Sequence, residues 1–443
     1  MREKFYVILG LGLTGFSFAN FLYKRNLPFV VIDTRENPPK LSDFIKLYPN
    51  IKIFLGGMHD DILDKATDIF ISPGVSLKTK SISHQIKLGK SVIGDVELFS
   101  KEAKAPIIAI TGTNAKSTVT TLVGEMAKNF GIKVKVGGNL GIPVLNLLGS
   151  DDVELYVLEL SSFQLETVES LNAKIAIVLN VTPDHLDRYL DFNEYINVKR
   201  SIYKNCEIGI YNKDDLLVNG LNISTPKFNF TMFEPSENEF GIVVKNDKSY
   251  LSLFNEIILS IDMLPIQGKH FQANALAALA IGYASGFSMS SMIQTLKTFK
   301  GLPHRCELVR EKNGIRWYND SKGTNVGATI AAIDGLGCDL KPNIILIAGG
   351  VGKGADFSPL VDSVKKYIKF IVLIGEAASD LANTIGKCVK IEFANSMKEA
   401  VSLSSSIAVS GDSVVLSPAC ASFDMFNNFE HRGKVFSDLV VGL

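Results

Sequence analysis

PIIAITGTNAKST (residues 106–118) decides how this chain folds. Its first six residues read as a buried strand, a short loop follows, and an apolar-periodic helix starts at Lys116. Backbone N–H groups at such a helix start point at an anion, and the helix dipole adds to the attraction. The loop residues Gly112, Thr113 and Asn114 would wrap a phosphate chain, with Thr118 in the first helical turn. Lys116 supplies a point charge to the outer phosphates, and the hydroxyl of Ser117 suits magnesium. The full G-x-x-x-x-G-K-[ST] pattern is not met, because Ile110 and Ala115 stand in its glycine slots. An ordinary strand–turn–helix junction is the plainer alternative.

Two further strand ends support the phosphate-loop reading. YVLEL (156–160) closes on Glu159, ahead of Ser161-Ser162-Phe163-Gln164. A carboxylate at the carboxyl edge of a parallel sheet reaches a metal held at the phosphate loop. KIAIVLN (174–180) runs into Val181-Thr182-Pro183-Asp184-His185, which adds an acid and an imidazole at the same kind of edge.

Outward from this centre, the chain alternates apolar runs with helical patterns, the rhythm of parallel α/β layers. FYVILG (5–10), FVVID (29–33), IKIFL (51–55) and DIFIS (68–72) are expected strands, with crossover helices at 15–25 and 78–89. Residues 205–262 give short, polar-interrupted strands, expected to form an antiparallel accessory sheet, and an alanine-rich helix is expected at Asn274–Gly286. After GLPHR (301–305), the runs IRWYND, NIILIAGG, FIVLIG and SVVLS repeat the α/β pattern. The expected architecture is three α/β domains. They are a Rossmann-like domain over 1–95, a central P-loop ATPase-like domain with the accessory sheet over 96–301, and a second Rossmann-like domain over 302–443.

Composition narrows the function classes. The 46 basic and 46 acidic side chains cancel, so no global field favours nucleic acid or an anionic membrane. The five cysteines, at 206, 306, 338, 388 and 420, are scattered and form no C-x-x-C pair. That pattern argues against a disulfide framework or a structural zinc site and for a reducing, cytoplasmic setting. Arg2 and Lys4 before the apolar stretch 5–22 imitate a signal peptide, but Gly10, Gly12 and Gly15 interrupt it and no cleavage pattern follows.

Gly10-Leu11-Gly12-Leu13-Thr14-Gly15 completes a G-x-G-x-x-G after a strand, with Asp33 eighteen residues beyond Gly15. By itself this is a dinucleotide fingerprint, and it makes an NAD-dependent dehydrogenase the main competing class. A dehydrogenase has no use for a second phosphate loop with its acids. A non-catalytic nucleotide-binding protein is a third class, opposed by the strand-end residues Glu159 and His185.

Taken together, these pieces resemble the Mur ligase superfamily, ATP-dependent amide ligases that also include folylpolyglutamate synthases. Gly137-Gly138-Asn139-Leu140-Gly141, Leu302-Pro303-His304-Arg305 and Asn319-Asp320-Ser321-Lys322-Gly323-Thr324-Asn325 match further family loops, so the likeness spans nearly the whole chain. GLGLTG with DTR at 33–35, GKGADFSPL at 352–360 and LSPACASFDMFNNFEHRG at 416–433 are most similar to members that add D-glutamate to UDP-N-acetylmuramoyl-L-alanine. Another amino acid in a related ligase remains an alternative.

The resemblance implies a set of roles. ATP would be held by the loop at 112–118 and by Asn274, Arg305 and Asp320. The UDP-substrate would meet Leu13, Thr14, Asp33, Thr34 and Asn139. D-glutamate would meet Thr324, Lys353, Ser422 and the backbone of Phe429. Magnesium would be held by Ser117, Glu159, His185 and a carbamoylated Lys199, with Lys116 catalytic alongside them. Read alone, Lys199 is a solvated helix lysine, as most lysines are. A monomer without nucleic-acid or membrane partners is expected.

Two departures from the family pattern stand out. Ala115 replaces a frequent glycine, which is expected to place it in the first helical turn. His270-Phe271-Gln272-Ala273-Asn274 replaces His-Asn-x-x-Asn, removing one asparagine from the adenine side.

Overall fold

The apolar runs become strands because they are buried on both faces, as parallel sheets under helices require. The computed structural model describes residues 4–149, 152–218, 226–266, 268–337 and 340–443; Cys338 lies outside them. The chain forms three α/β domains, distributed over two compact units. The first unit comprises Met1–Val181, Arg188–Phe230 and Ala277–Thr295, and the second Thr182–Asp187, Thr231–Leu276 and Leu296–Leu443.

The first unit opens with a five-stranded parallel sheet. Its strands are β1 (Tyr6–Leu9), β2 (Phe29–Asp33), β3 (Ile53–Leu55), β4 (Asp68–Ile71) and β5 (Ser91–Ile93), in the order β3-β2-β1-β4-β5. A second parallel layer contains β6 (Ile107–Thr111), β7 (Val134–Gly138), β8 (Leu155–Glu159), β9 (Ile175–Val178), β10 (Ile208–Asn212) and β11 (Lys227–Phe230). Their order is β11-β10-β9-β6-β8-β7, which centres β6 between the two strands that end at Glu159 and Val178. One core serves both layers: Phe18, Phe70, Phe99, Tyr156 and Val178 belong to the same buried cluster. Phe99 meets Tyr156 edge-on at 4.9 Å.

The second unit carries a three-stranded antiparallel meander, β12 (Glu239–Lys245), β13 (Lys248–Leu253) and β14 (Glu256–Ser260). It also carries β15 (Glu307–Lys312), β16 (Ile315–Asn319), β17 (Ile344–Gly349), β18 (Ile368–Ile374), β19 (Lys390–Phe393) and β20 (Ser413–Leu416), ordered β15-β16-β20-β17-β18-β19. Only β15 runs antiparallel in that sheet. Helices pack on both faces, giving two buried clusters.

Three expectations need correction. The segment 205–262 is not uniformly antiparallel: β10 and β11 run parallel to β9 and extend the main layer, and only β12–β14 form the antiparallel meander. Short runs carry no direction in themselves; neighbours set it. β7 escaped notice because its lysine-interrupted VKVGG lies at the sheet edge, half-buried. The alanine-rich helix starts at Lys269, five residues earlier than expected, and ends at Ala284. Among the described residues, no helix is long and apolar enough to cross a membrane.

Candidate active site

The phosphate loop is built at the end of β6. Gly112 sits so close to the next strand that a Cβ there would lie 3.0 Å from the Leu179 Cβ. Asn180 braces the loop from β9's end: its backbone oxygen accepts from Thr113 N at 2.9 Å and its Oδ1 from Asn114 N at 2.8 Å. The helix Lys116–Asn129 follows, with Ser117 and Thr118 buried in its first turn. Lys116 folds back, its Nζ donating to Gly112 O and Thr113 O, each at 2.8 Å.

Lys199 is not a solvated lysine. It lies on the helix Phe192–Arg200, is 2% exposed, and donates from Nζ to the same Gly112 oxygen at 2.8 Å. The Nζ also sits 4.7 Å from the centroid of the Tyr195 ring, whose hydroxyl is 3.0 Å from Thr113 Oγ1. Two lysine side chains thus converge on one carbonyl of the loop. The charge of Lys116 beside the helix N-terminus favours a polyanion there.

Ala115 also departs from expectation. It is the residue before the helix and adopts φ 67°, ψ −7°, the left-handed region, rather than the first helical turn. That conformation costs a non-glycine residue about 1 kcal/mol. Ala115→Gly is therefore expected to stabilise the first unit by about 0.5–1 kcal/mol, the relief of strain exceeding glycine's extra unfolded-state entropy. Denaturant unfolding followed by circular dichroism checks this, and a net loss of stability would contradict the strained geometry.

Glu159 ends β8, opposite Ile110 in the register with β6. It is 2% exposed. Its Oε1 accepts from Asn139 Nδ2 at 2.6 Å, while Oε2 is buried with no hydrogen-bond partner among the described residues. An unsatisfied buried carboxylate oxygen is costly unless something else binds it. This carboxylate and the Ser117 hydroxyl are both hard oxygen donors, the kind magnesium prefers. Among the described residues, no three His, Cys, Asp or Glu side chains cluster as a metal cage. Phosphate oxygens and water, magnesium's usual partners, would add to whatever ligands the protein supplies.

A cavity of about 570 Å³ lies in the first unit, lined by Gly12, Leu13, Thr14, Asp33, Thr34, Arg35, Asn139 and Gln164 among others. The glycine pattern is explained by contact. A Cβ on Gly15 would fall 1.8 Å from Gly10 O, whereas one on Gly12 would meet nothing within 4 Å. Asp33 also lines this cavity. It is 2% exposed, and its carboxylate accepts from Leu11 N at 2.6 Å and from Arg35 Nε and Nη2 at 2.8 and 2.7 Å. Burial raises its pKa, but the hydrogen bonds from Arg35 and Leu11 outweigh that and hold it below the ordinary aspartate value. Asp33 therefore anchors the glycine loop and aims Arg35, whose half-exposed guanidinium lines the cavity. Arg35 and Gln164 went unselected in the sequence, although both lie inside stretches singled out there.

The second unit gathers the remaining candidates. Asp320 is buried just past β16; its Oδ1 accepts from Cys306 N at 3.1 Å and its Oδ2 from Ser417 Oγ at 2.7 Å. Burial lifts its pKa to about 6 despite those bonds. The loops bearing Thr324, Lys353 and Ser422 are stitched together: Ala419 N donates to Gly323 O at 2.9 Å, and Val351 and Ala421 exchange backbone bonds at 2.9 and 3.0 Å. Phe429 opens the helix Phe429–Val441, its carbonyl accepting from Ser321 Oγ at 2.8 Å. Lys322 Nζ lies 3.7 Å from its ring centroid. Arg305 lies on the turn before β15 and Asn274 on the helix Lys269–Ala284, both half-buried.

Phe271, where the family pattern has asparagine, is buried and stacks on Phe299 with centroids 6.0 Å apart and planes 7° from parallel. That position has become core. His185 belongs to the Thr182–Asp187 segment of the second unit. Its backbone is left-handed at φ 55°, and its Nε2 lies 3.7 Å from Asp184 Oδ2, which accepts from Asn325 Nδ2 at 3.2 Å.

The chain matches three family domains in sequence order. Residues 4–94 match the Mur ligase MurD-like N-terminal domain, 110–282 the Mur ligase middle domain, and 304–420 the Mur ligase glutamate ligase domain. It is 45% identical over 442 residues to the UDP-N-acetylmuramoylalanine–D-glutamate ligase of Pseudomonas putida, covering 100% of this chain and 98% of that one. The enzymes of the same name from Coxiella burnetii and Legionella pneumophila are 47% and 44% identical, covering 100% of this chain and 99% and 100% of theirs. Among solved structures, it superposes on the UDP-N-acetylmuramate–alanine ligase of Thermotoga maritima with TM-score 0.62 at 17% identity, covering 99% of both chains. The folylpolyglutamate synthase of Mycobacterium tuberculosis gives 0.60 at 15% identity, covering 78% of this chain and 92% of that one. These last two likenesses speak for the fold alone.

Proposed function

The chain belongs to the Mur ligase family, and from that premise we propose that it joins D-glutamate to UDP-N-acetylmuramoyl-L-alanine at the expense of ATP, a step of peptidoglycan precursor synthesis. One observation carries this reading: the chain is 44–47% identical, end to end, to D-glutamate ligases. The geometry agrees with it. Two lysines converge on the phosphate loop, and an unsatisfied carboxylate oxygen stands at the neighbouring strand end.

A carboxylate is a poor electrophile. Transfer of the γ-phosphoryl group to the substrate carboxylate gives an acyl phosphate and ADP. The amine of D-glutamate then attacks the acyl carbon, and phosphate leaves as the amide forms. Lys116 and the helix N-terminus stabilise the charge moving through the phosphoryl group. Ser117, Glu159, His185 and Lys199, the last as a carbamate, would hold magnesium, which would supply neutralisation of phosphate charge.

The working division is UDP-substrate over residues 1–95, ATP over 96–301, and amino acid with nucleotide closure over 302–443. Leu13, Thr14, Asp33, Thr34 and Asn139, with Arg35 held by Asp33, would receive the UDP-substrate. Gly112–Thr118, Asn274, Arg305 and Asp320 would hold ATP. Thr324, Lys353, Ser422 and the Phe429 backbone would hold D-glutamate. We assign the enzyme to the cytoplasm, where its four described free cysteines would stay reduced, and expect a monomer.

The test is a ligation assay with UDP-N-acetylmuramoyl-L-alanine, ATP and a panel of amino acids. Phosphate release is expected only with the acyl substrate present, and amide product only with D-glutamate. Preference for another amino acid, or tight NADH binding without ligation, would overturn the reading.

A further inference from the structure

Arg432 is 1% exposed and heads the fully buried side chains by size. It lies near the start of the helix Phe429–Val441. Its Nε donates to Ser321 Oγ at 3.0 Å, its Nη2 to Ser321 O at 2.8 Å, and its Nη1 to Cys420 O at 3.1 Å. Among the described residues, no carboxylate contacts the guanidinium. Burial pulls its pKa down to about 10, so it keeps its charge at neutral pH.

A buried cation whose hydrogen bonds go only to carbonyls and a hydroxyl, with Asp424 and Asp320 acting on it from beyond contact, is an expensive way to fill space. A methionine would fit with no charge to desolvate. What an apolar side chain cannot do is hold three acceptors from two separate loops in one plane, which is the distinctive capacity of the rigid guanidinium fork.

The two loops and the helix start tied in this way are those assigned to D-glutamate. Ser321 precedes Lys322–Thr324, Cys420 precedes Ser422, and Ser321 Oγ in turn donates to the carbonyl of Phe429. The Lys353 loop hangs on the same assembly through the Val351–Ala421 bridge. Asp320, on the nucleotide side, has anchors of its own: its N donates to Leu416 O and its carboxylate accepts from Cys306 N and Ser417 Oγ, while its carbonyl accepts from Gly323 N. The guanidinium thus braces the amino-acid half without touching the groups that hold Asp320.

We propose that Arg432 is the positioning residue of the amino-acid half of the site, setting the two loops and the helix start in register so that their donors match the two carboxylates of D-glutamate. The proposal rests on the functional reading above and deepens it.

The experiment measures steady-state KM for D-glutamate, ATP and UDP-substrate in the full-length wild type, Arg432→Lys and Ser321→Ala. Melting temperature is followed, and the acyl phosphate is trapped by borohydride without amino acid. Lysine keeps the charge but loses the planar fork. Arg432→Lys is expected to raise the D-glutamate KM about tenfold, the worth of one charge-assisted contact, with the ATP and UDP-substrate KM values within about threefold of wild type. Acyl-phosphate trapping is expected to persist. Ser321→Ala, which leaves Arg432 in place but removes one acceptor, is expected to shift the same KM in the same direction by less. A folded Arg432→Lys with an unshifted D-glutamate KM, or with ATP and D-glutamate KM values rising together, overturns the proposal. Should Arg432→Lys fail to fold, an unchanged D-glutamate KM in Ser321→Ala overturns it. A wild type that takes another amino acid overturns the functional reading and the proposal with it, whereas a D-glutamate-using wild type with an unshifted variant overturns the proposal alone.

Discussion

Lys116→Ala is expected to lower ATP-dependent turnover about a thousandfold or more, the scale seen when one preorganised charge is taken from a phosphoryl-transfer site. The substitution removes an ammonium whose Nζ hydrogen-bonds to Gly112 O and Thr113 O at the start of the helix Lys116–Asn129. Those carbonyls hold it in place before substrate arrives, so its electrostatic work needs no reorganisation. UDP-substrate binding is expected to survive, because the cavity at Leu13, Asp33 and Arg35 is built by other elements. Acyl-phosphate trapping and calorimetric titration of the UDP-substrate separate the two effects. Near-normal ATP turnover in the variant would remove Lys116 from the mechanism.

Lys199→Ala is expected to lose activity by about two to three orders of magnitude. The side chain is buried against the phosphate loop and Tyr195, where a bare ammonium would repel magnesium. Under the proposed function, the deprotonated amine would add carbon dioxide and release a proton, giving a carbamate, an anion with two oxygens of the kind a hard cation prefers. Alanine leaves a space of matching shape, so formate or acetate in the buffer is expected to restore part of the activity. The same anions should do nothing for Lys116→Ala, whose missing charge is positive. Wild-type rates in Lys199→Ala would defeat the assignment. Failure of every short carboxylate to rescue a folded variant would count against the carbamate.

Much of the fold was legible because burial leaves its mark on composition. IIAIT, YVLE and IAIV are apolar throughout, since both faces of a central parallel strand are covered. The phosphate loop was legible for a related reason: it needs glycine, lysine and a hydroxyl within a few residues of each other, so the constellation is local. The same locality marked Glu159 and Asp33 as strand-end acids.

What could not be read was anything whose partner lies far along the chain. The helix Phe192–Arg200 looks polar, and Lys199 in it looks like a surface residue, until the Gly112 carbonyl arrives from 87 positions away. Asp33 reads as a nucleoside-side acid, and only the structure adds that Leu11 N and Arg35 donate to its oxygens. The polar-interrupted run at 208–230 carries no information on strand direction, which the neighbouring β9 decides. Ala115 resisted for a different reason: side-chain identity disfavours a left-handed backbone but cannot forbid it where Asn180 braces the loop from outside.

The sequence by itself therefore determined the α/β layering, the phosphate loop and the strand-end acids, because each depends on burial or spacing within a single element. Only the tertiary structure decided the burial of Lys199, the division of labour between Asp33 and Arg35, the direction of β10 and β11, and the clamp at Arg432. Each of those depends on which distant backbone groups close around a side chain, and desolvation in a folded environment, not residue type, sets what a charged group there can do.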